Sequence, residues 1–233
     1  MGASCASPGR KGTVETVPSR SCFVCGAVAM RLVSHHSAAF LVFPDSPAYP
    51  RLTQETLEET TGALEAIRRD PVFRGVVIAS NALSWATGAE LEQVAGLSPA
   101  SALEFARFGQ GAFNRLAHFP LPVVAAIRGF CLGGGLDLAL ACHARVASLN
   151  SSFGHPGAQL GLVTGWGGTQ RLPRLVGKTQ ALQMLLTAER IPATQALTVG
   201  LVDELVPESD LWDAAVRWVD KLSARSRALR LAE

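Results

Sequence analysis

The chain has 233 residues, of which 48% are hydrophobic and 17% charged, a composition that excludes an intrinsically disordered protein and provides for a sizeable core. Its formal net charge is +2, from 21 basic and 19 acidic residues, so charge gives no reason to expect a nucleic acid or a membrane surface as a partner. Aromatic residues make up 6%, and no apolar run reaches about 18 residues. The sequence therefore predicts a globular protein without nucleic-acid or membrane partners.

The five cysteines predict no disulfide framework. Their number is odd, and Cys131 and Cys142 lie inside apolar runs, as buried reduced thiols do. The segment Cys22–Cys25 has the spacing of a metal-binding pair, and His35–His36 follow it. Because a zinc site needs four converging ligands, and adjacent histidines on a strand point to opposite faces, we expect no metal site. The N-terminus lacks the pattern of a secretory signal peptide, so the expected location is the cytoplasm.

Taken in chain order, the sequence predicts a loose extension over residues 1–26 and then alternating strands and helices. Short apolar runs predict strands, the first two forming a hairpin, at residues 27–33, 38–43, 76–79, 121–127 and 145–147. Thr53 and Ser98 are suited to cap two helices, and further helices are predicted at residues 136–142, 179–187, 193–200 and 210–231. Residues 150–168 are expected to form a loop. This alternation predicts an α/β fold with mainly parallel strands.

Three glycine clusters lie where chemistry could take place, at residues 86–90, 129–135 and 165–169. The first two follow predicted strands and lead into predicted helices. Such a junction leaves backbone N–H groups free at a helix N-terminus, where they can bind an anion or a developing oxyanion. No dinucleotide fingerprint, P-loop or nucleophile elbow is present in the sequence. The glycines therefore indicate either tight turns or an oxyanion hole, and the sequence alone does not show whether the junctions converge.

From about residue 27 to 222 the sequence resembles the crotonase superfamily, also called the enoyl-CoA hydratase/isomerase family. The resemblance rests on ordered motifs: GVVIA at 75–79, TGAEL at 87–91, PVVAAIRG at 122–129, LGGGLDLALAC at 132–142, GGTQRLPRLVG at 167–177 and ALTVGLV at 196–202. It implies a spiral of ββα units with flanking C-terminal helices, as one domain over residues 27–233. By comparison with the family pattern, the C-terminal helical part, from about residue 179, is expected to be shortened.

The resemblance also implies a function. Members of the family bind acyl-CoA thioesters, take part in fatty acid metabolism, need no cofactor beyond the CoA of the substrate, and assemble as trimers or pairs of trimers. Two backbone N–H groups stabilise the enolate oxygen, and carried over by motif these belong to Thr87 and Gly134. Preorganised donors at a helix N-terminus are suited to that charge.

The acid–base residues depart from the family pattern. Of the two glutamates that hydratases use, the first corresponds to Asp137 and the second to Gly157, which has no side chain. Asp137 and the segment QRLP at 170–173 resemble dienoyl-CoA isomerases, but the further acidic position of those enzymes corresponds to Gly165. Two-carboxylate addition of water is therefore not expected in its usual form.

Two further side chains are candidates with alternatives left open. His155 lies two residues before the missing glutamate, and it is either a replacement acid–base group or a loop histidine satisfied by the backbone. Trp166 either lines an acyl pocket or fills the core. We expect an acyl-CoA lyase or isomerase, or a decarboxylase that uses the same oxyanion stabilisation. The alternatives are a catalytically silent acyl-CoA-binding homologue or subunit, and a structural trimer partner without ligand.

Overall fold

A computed structural model describes residues 30–43 and 49–231, with side chains through residue 226. The predicted extension over residues 1–26 and the Cys22–Cys25 segment lie outside the described residues. The strands are β1 (Arg31–His35), β2 (Ala38–Phe43), β3 (Gly75–Ser80), β4 (Val123–Ile127), β5 (Phe130–Leu132), β6 (Ala144–Ser148), β7 (Ser152–Gly154), β8 (Ile191–Pro192) and β9 (Glu204–Val206). The helices are α1 (Gln54–Arg69), α2 (Leu91–Ala95), α3 (Pro99–Ala117), α4 (Gly134–Ala141), α5 (Gly168–Val176), α6 (Lys178–Thr187), α7 (Ala193–Thr198) and α8 (Leu211–Leu231).

The strands form two sheets. The larger has the order β1-β2-β3-β4-β6-β9, in which β1 and β2 are the predicted antiparallel hairpin and the other pairs are parallel. The smaller has the order β5-β7-β8. Every residue of β2, β3 and β4 is buried, as in a parallel sheet covered on both faces. Helix α8 covers one face of the large sheet, and the main core with α1, α3 and α4 lies on the other.

The chain repeats one structural unit as it winds between the sheets. Strand β4 of the large sheet leads into β5 of the small sheet and then into α4, and β6 leads into β7 and then, through a 3-10 helix at Pro156–Leu160, into α5. After β3, Ala86 makes a parallel bridge with Cys131 of β5, so this segment extends the small sheet in the same way. This succession confirms the predicted spiral of ββα units.

The predicted helix caps are confirmed. The Thr53 side chain accepts a hydrogen bond from the Thr56 N–H at the start of α1. Ser98 forms a capping box with Ser101, and Pro99 is the first residue of α3. These local contacts explain why both helices begin where the sequence indicates.

Some elements were not predicted. Strands β5, β7 and β8 have two or three residues, too few for a periodic pattern, so residues 150–168 are not the plain loop expected. Helix α5 was also missed, because it begins at Gly168 and contains Pro173, both typical of a turn. Cys131 and Cys142 are free and buried, as predicted, and burial raises the pKa of both thiols.

Candidate active site

The first two strand–glycine–helix junctions converge in the folded chain. The N–H of Leu132 donates to the carbonyl of Ala86 at 3.0 Å, which ties the end of β5 to the segment after β3. A Cβ built on Gly88 would lie 3.0 Å from the Gly134 nitrogen, and one built on Gly134 would lie 3.5 Å from the Ala89 nitrogen. Gly88 has a φ of +96°, a backbone conformation that residues other than glycine rarely adopt. The two backbones therefore approach each other closely only because glycines stand at this point.

The hydrogen bonds distinguish the backbone donors at the junction. The Thr87 N–H donates to the Pro50 carbonyl at 3.0 Å, so in this structure it is not free to receive a ligand oxygen, which differs from the expectation for Thr87. The N–H groups of Ala89 and Gly134 have no hydrogen-bond partner among the described residues. Gly134 is the first residue of α4, where the helix dipole favours negative charge. The free pair of donors is thus Ala89 and Gly134, and the signal that sequence reasoning missed was the left-handed Gly88 before Ala89.

Trp166 lies directly against this junction. A Cβ on Gly134 would come within 2.6 Å of the indole ring, and one on Gly109 of α3 within 2.2 Å. The indole N–H donates to the Phe105 carbonyl at 3.2 Å, and the ring packs edge-on against Phe113 with centroids 5.7 Å apart. The buried Trp166 side chain therefore fills the core between α3 and the start of α4 and also forms the wall beside Gly134.

Asp137 lies one turn into α4, three residues after Gly134, and its side chain is 0% exposed. The Thr164 hydroxyl donates a hydrogen bond to Asp137 Oδ2. Burial raises the pKa of Asp137 to about 7, against the opposing effects of the Thr164 hydrogen bond and the Arg171 positive charge. At neutral pH this carboxyl group is therefore divided between its acid and its carboxylate, as a group that both accepts and returns a proton requires.

His155 follows β7 and is brought next to Asp137, with Nε2 lying 3.6 Å from Asp137 Oδ1. The residue is 3% exposed, and neither ring nitrogen has a hydrogen-bond partner among the described residues. Burial lowers its pKa to about 4, so the imidazole is neutral at physiological pH. The alternative of a loop histidine satisfied by the backbone is therefore wrong, because the backbone gives the ring no partner.

A glycine makes room for this pair. A Cβ on Gly168, the first residue of α5, would lie 2.1 Å from Asp137 Oδ1, 2.8 Å from a Thr164 methyl carbon and 3.1 Å from His155 Cε1. Any larger residue at position 168 would displace these side chains. Gly168 of the third glycine cluster thus leaves room for the Asp137 and His155 side chains.

The two positions that correspond to acidic residues in family enzymes are Gly157 and Gly165. Gly157 lies in the 3-10 helix after His155 with a φ outside the left-handed region, and a Cβ there would lie 3.2 Å from the Leu162 carbonyl oxygen. At Gly165 the nearest atom to an added Cβ is the Ala106 methyl carbon, 3.6 Å away. The described structure thus places His155 next to Asp137, three residues after Gly134, with the positive charge of Arg171 also acting on the Asp137 carboxyl group.

Within the described residues, none of the helices has both the length and the apolar character that crossing a bilayer requires. This finding agrees with the sequence, in which no long apolar run occurs.

Comparisons with known proteins identify the family of the chain. Residues 41–232 match the family model described as enoyl-CoA hydratase/isomerase. A fatty acid oxidation complex subunit alpha from Shewanella halifaxensis is 48% identical over 169 residues, which are 71% of this chain and 24% of that protein, so the chain spans about a quarter of that relative's length.

Solved structures share the fold over most of the chain. The structure of DspI from Pseudomonas aeruginosa has a TM-score of 0.82 and 31% identity, covering 92% of this chain and 88% of its own. An enoyl-CoA hydratase from Bacillus anthracis has a TM-score of 0.78 and 29% identity, covering 84% of this chain and 77% of its own. Sequence motifs, spiral fold and family match together show that the chain belongs to the enoyl-CoA hydratase/isomerase family.

Proposed function

We propose that this protein acts on acyl-CoA thioesters through an enolate and that it moves a double bond rather than adding water. The observation that carries the proposal is a pair of N–H groups, on Ala89 and Gly134, that have no partner within residues 30–43 and 49–231 and lie about one helical turn from the buried Asp137. The thioester oxygen would accept a hydrogen bond from each N–H group, and these bonds strengthen as the oxygen gains negative charge in the enolate. One such donor typically contributes about 3 kcal/mol to transition-state stabilisation.

Asp137 is the proposed acid–base group. Its carboxylate removes a proton from the α-carbon of a 3-enoyl thioester, and the electron pair is delocalised onto the thioester oxygen. The resulting carboxylic acid then delivers the proton to the γ-carbon, which gives the 2-enoyl thioester and restores the carboxylate. A pKa of about 7 suits both halves of this transfer, since neither protonation state is strongly disfavoured at neutral pH.

The departures from the hydratase pattern favour isomerisation. Hydration uses a second carboxylate to orient and activate water, and Gly157 offers none at the position where hydratases carry their second glutamate. Gly165 likewise lacks the further acidic residue of dienoyl-CoA isomerases, so the proposed isomerisation depends on Asp137 alone. A single carboxyl group is sufficient to shift a proton between two carbons of one substrate. His155, neutral because its pKa is about 4, is a poor base, and we assign it a positioning role, holding the Asp137 carboxyl group in a water-free environment.

A second candidate, a catalytically silent acyl-CoA-binding homologue, is favoured by one observation. Asp137 is 0% exposed and the Trp166 ring packs against Gly134, so a substrate must displace side chains to reach the carboxyl group. In this alternative the oxyanion donors still bind the thioester, but no proton is transferred.

The test is isotope exchange combined with product analysis. Incubated with 3-enoyl-CoA in D2O, the protein is expected to form 2-enoyl-CoA that carries little deuterium, because the buried Asp137 returns the proton that it removed. The value of kcat/KM should rise as the pH passes about 7, because the Asp137 carboxylate is the base. Binding of acyl-CoA, seen as a raised Tm, without exchange or isomerisation would establish the silent alternative. Neither binding nor turnover with a panel of acyl chain lengths would overturn both.

Three further parts of the proposal concern the setting of this reaction. We place the protein in fatty acid metabolism in the cytoplasm, with no cofactor beyond the CoA of the substrate. We also propose a homotrimer or a hexamer, and a sedimentation experiment that gave a monomer at micromolar concentration would contradict that assembly.

A further inference from the structure

A second cluster of histidine and carboxylate side chains lies on the surface, where the turn between β1 and β2 meets the start of α8. His35, His36 and Asp213 each offer one ligand atom, and these atoms all lie within 4.8 Å of one another. None of these residues belongs to the site described above. Two imidazoles and one carboxylate are ligands that bind divalent transition-metal ions.

The backbone explains how adjacent histidines come together. On a continuous strand their side chains would point to opposite faces, which is why the sequence predicts no metal site. Strand β1 ends at His35, however, and His36 takes a φ of 52°, in the left-handed region that non-glycine residues seldom occupy. The two rings consequently lie with their centroids 4.4 Å apart. The expectation that they diverge is therefore wrong.

Asp213 approaches from a different element and completes the cluster. It lies in the first turn of α8, and its Oδ1 is 2.9 Å from His35 Nε2. The His35 ring is held by edge-on contacts with Phe40 and Trp212, at centroid distances of 5.5 and 6.1 Å. Two ligands bound to one ion at about 2.0–2.1 Å lie about 2.9–3.3 Å apart. The His35–Asp213 separation thus already fits two neighbouring ligands of one ion.

We propose that His35, His36 and Asp213 bind a divalent first-row transition-metal ion, with Zn²⁺ as the probe and water in the remaining coordination positions. Imidazole ligands favour zinc, nickel or copper over magnesium and calcium, which prefer oxygen. Among the described residues the cluster contains these three ligands, so three protein ligands are expected. Asp220, two turns further along α8, instead accepts a hydrogen bond from the Ser37 hydroxyl at 3.2 Å. The bound ion would link the edge of the large sheet to α8, which packs across that sheet.

Calorimetric titration of the full chain with Zn²⁺ tests the site. The titration uses a Cys22→Ser/Cys25→Ser background, so that thiolate binding by that pair is not counted. We expect one equivalent to bind, with a Kd in the micromolar range or below, and a Tm raised by about 5 °C or more at a free Zn²⁺ concentration near 100 Kd. The site variant is His36→Asn, because asparagine tolerates the left-handed conformation while removing the ligand. It should weaken binding at least tenfold.

Two comparisons make the assignment specific. Asp213→Asn, on a different element, should also weaken Zn²⁺ binding, so a failure of either variant to fold leaves the other to decide. His118→Asn removes an exposed histidine at the end of α3 and should leave the Kd unchanged. Absence of binding at 100 µM Zn²⁺, or binding that both site variants retain, would overturn the proposal and leave the cluster as a surface hydrogen bond only.

Discussion

Two pairs of histidine and aspartate side chains in this molecule have opposite surroundings. In the buried pair, His155 Nε2 and Asp137 Oδ1 lie 3.6 Å apart, and the residues are 3% and 0% exposed. In the surface pair, His35 Nε2 and Asp213 Oδ1 form a 2.9 Å hydrogen bond, with side chains that are 22% and 64% exposed. The same two residue types thus form a hydrogen-bonded surface pair in one place and a separated buried pair in the other.

The difference shows that burial, rather than proximity, determines the protonation chemistry of the buried pair. Burial raises the pKa of Asp137 to about 7 and lowers that of His155 to about 4. Between these values a proton stays on the carboxyl group and the imidazole remains neutral, so the pair is not an ion pair. A desolvated carboxyl group that titrates near neutral pH is suited to proton transfer. The surface pair instead has ligand atoms that an ion from solvent can reach.

The largest expected effect comes from removing the buried acid. Asp137→Asn keeps the shape of the side chain but abolishes proton transfer, so we expect the isomerisation rate to fall about 10²–10⁴-fold. Above pH 7 the variant should not be less stable than the wild type, because burying an ionised carboxylate is no longer required. Initial rates with 3-enoyl-CoA measure the loss of activity, and thermal melts at pH 8 measure the stability of the variant. Asp213→Asn is the matched control and should keep the full rate; equal losses in the two variants would contradict the assignment.

The pH dependence of stability separates the two members of the buried pair. The pKa of Asp137 is raised from 3.8 to about 7 on folding, so its contribution to stability is present below pH 3.8 and is lost as the pH rises through about 7. The pKa of His155 is lowered from 6.5 to about 4, so its contribution is present above pH 6.5 and is lost as the pH falls through about 4. Between about pH 4 and 6.5 the two slopes oppose each other.

Single substitutions should therefore expose one slope at a time. As the pH rises from 4 to 7, the free energy of unfolding of Asp137→Asn should increase relative to that of the wild type. That of His155→Gln should decrease relative to the wild type, and each change should be at most about 1.4 kcal/mol per pH unit. Urea unfolding at intervals between pH 4.5 and 7.5 measures the difference. Parallel curves for wild type and both variants would mean that the pair does not titrate with folding.

The next effect is smaller and concerns Gly157, two residues after His155, where hydratases carry a glutamate. Gly157→Glu supplies a second carboxylate, and we expect hydration of crotonyl-CoA to rise about tenfold or more from a low wild-type rate. The backbone at Gly157 is outside the left-handed region, so the substitution adds a contact with the Leu162 carbonyl, 3.2 Å from the new Cβ, without a forbidden φ. Gly157→Gln has the same size without the charge and is the control. A fast wild-type hydration rate that His155→Ala abolishes would instead make His155 the missing group.

Local sequence signals were sufficient for five strands of the large sheet and for the start of two helices, but not for β9, which has three residues. The apolar runs of β2, β3 and β4 and the cap at Thr53 depend on neighbouring residues only, and the structure follows them. The short strands of the small sheet could not be predicted from neighbouring residues, because they form by pairing with segments far away in the chain. Residues as far apart as Ala86 and Cys131 form one bridge.

The site shows the same division. Gly134 and Asp137 share one helix, so one motif was enough to predict that they lie close together. The state of the Thr87 N–H depends on Pro50, 37 residues earlier in the chain, and sequence reasoning had no means to see that bond. The surface cluster was also not predicted. Adjacent residues point to opposite faces only within a strand, and His36, with a φ of 52°, lies outside β1.

The smallest expected effect is on the surface pair in the absence of metal. Asp213→Asn removes an exposed hydrogen bond with His35 and a negative charge in the first turn of α8, which together contribute about 1 kcal/mol or less. For a chain of this size the Tm should fall by no more than about 4 °C, measured with EDTA present. The shift should shrink further at high salt, since exposed charges are screened. A larger, salt-independent loss would show that the His35–Asp213 contact holds β1 and α8 together without an ion, and that the two pairs differ less than their exposure suggests.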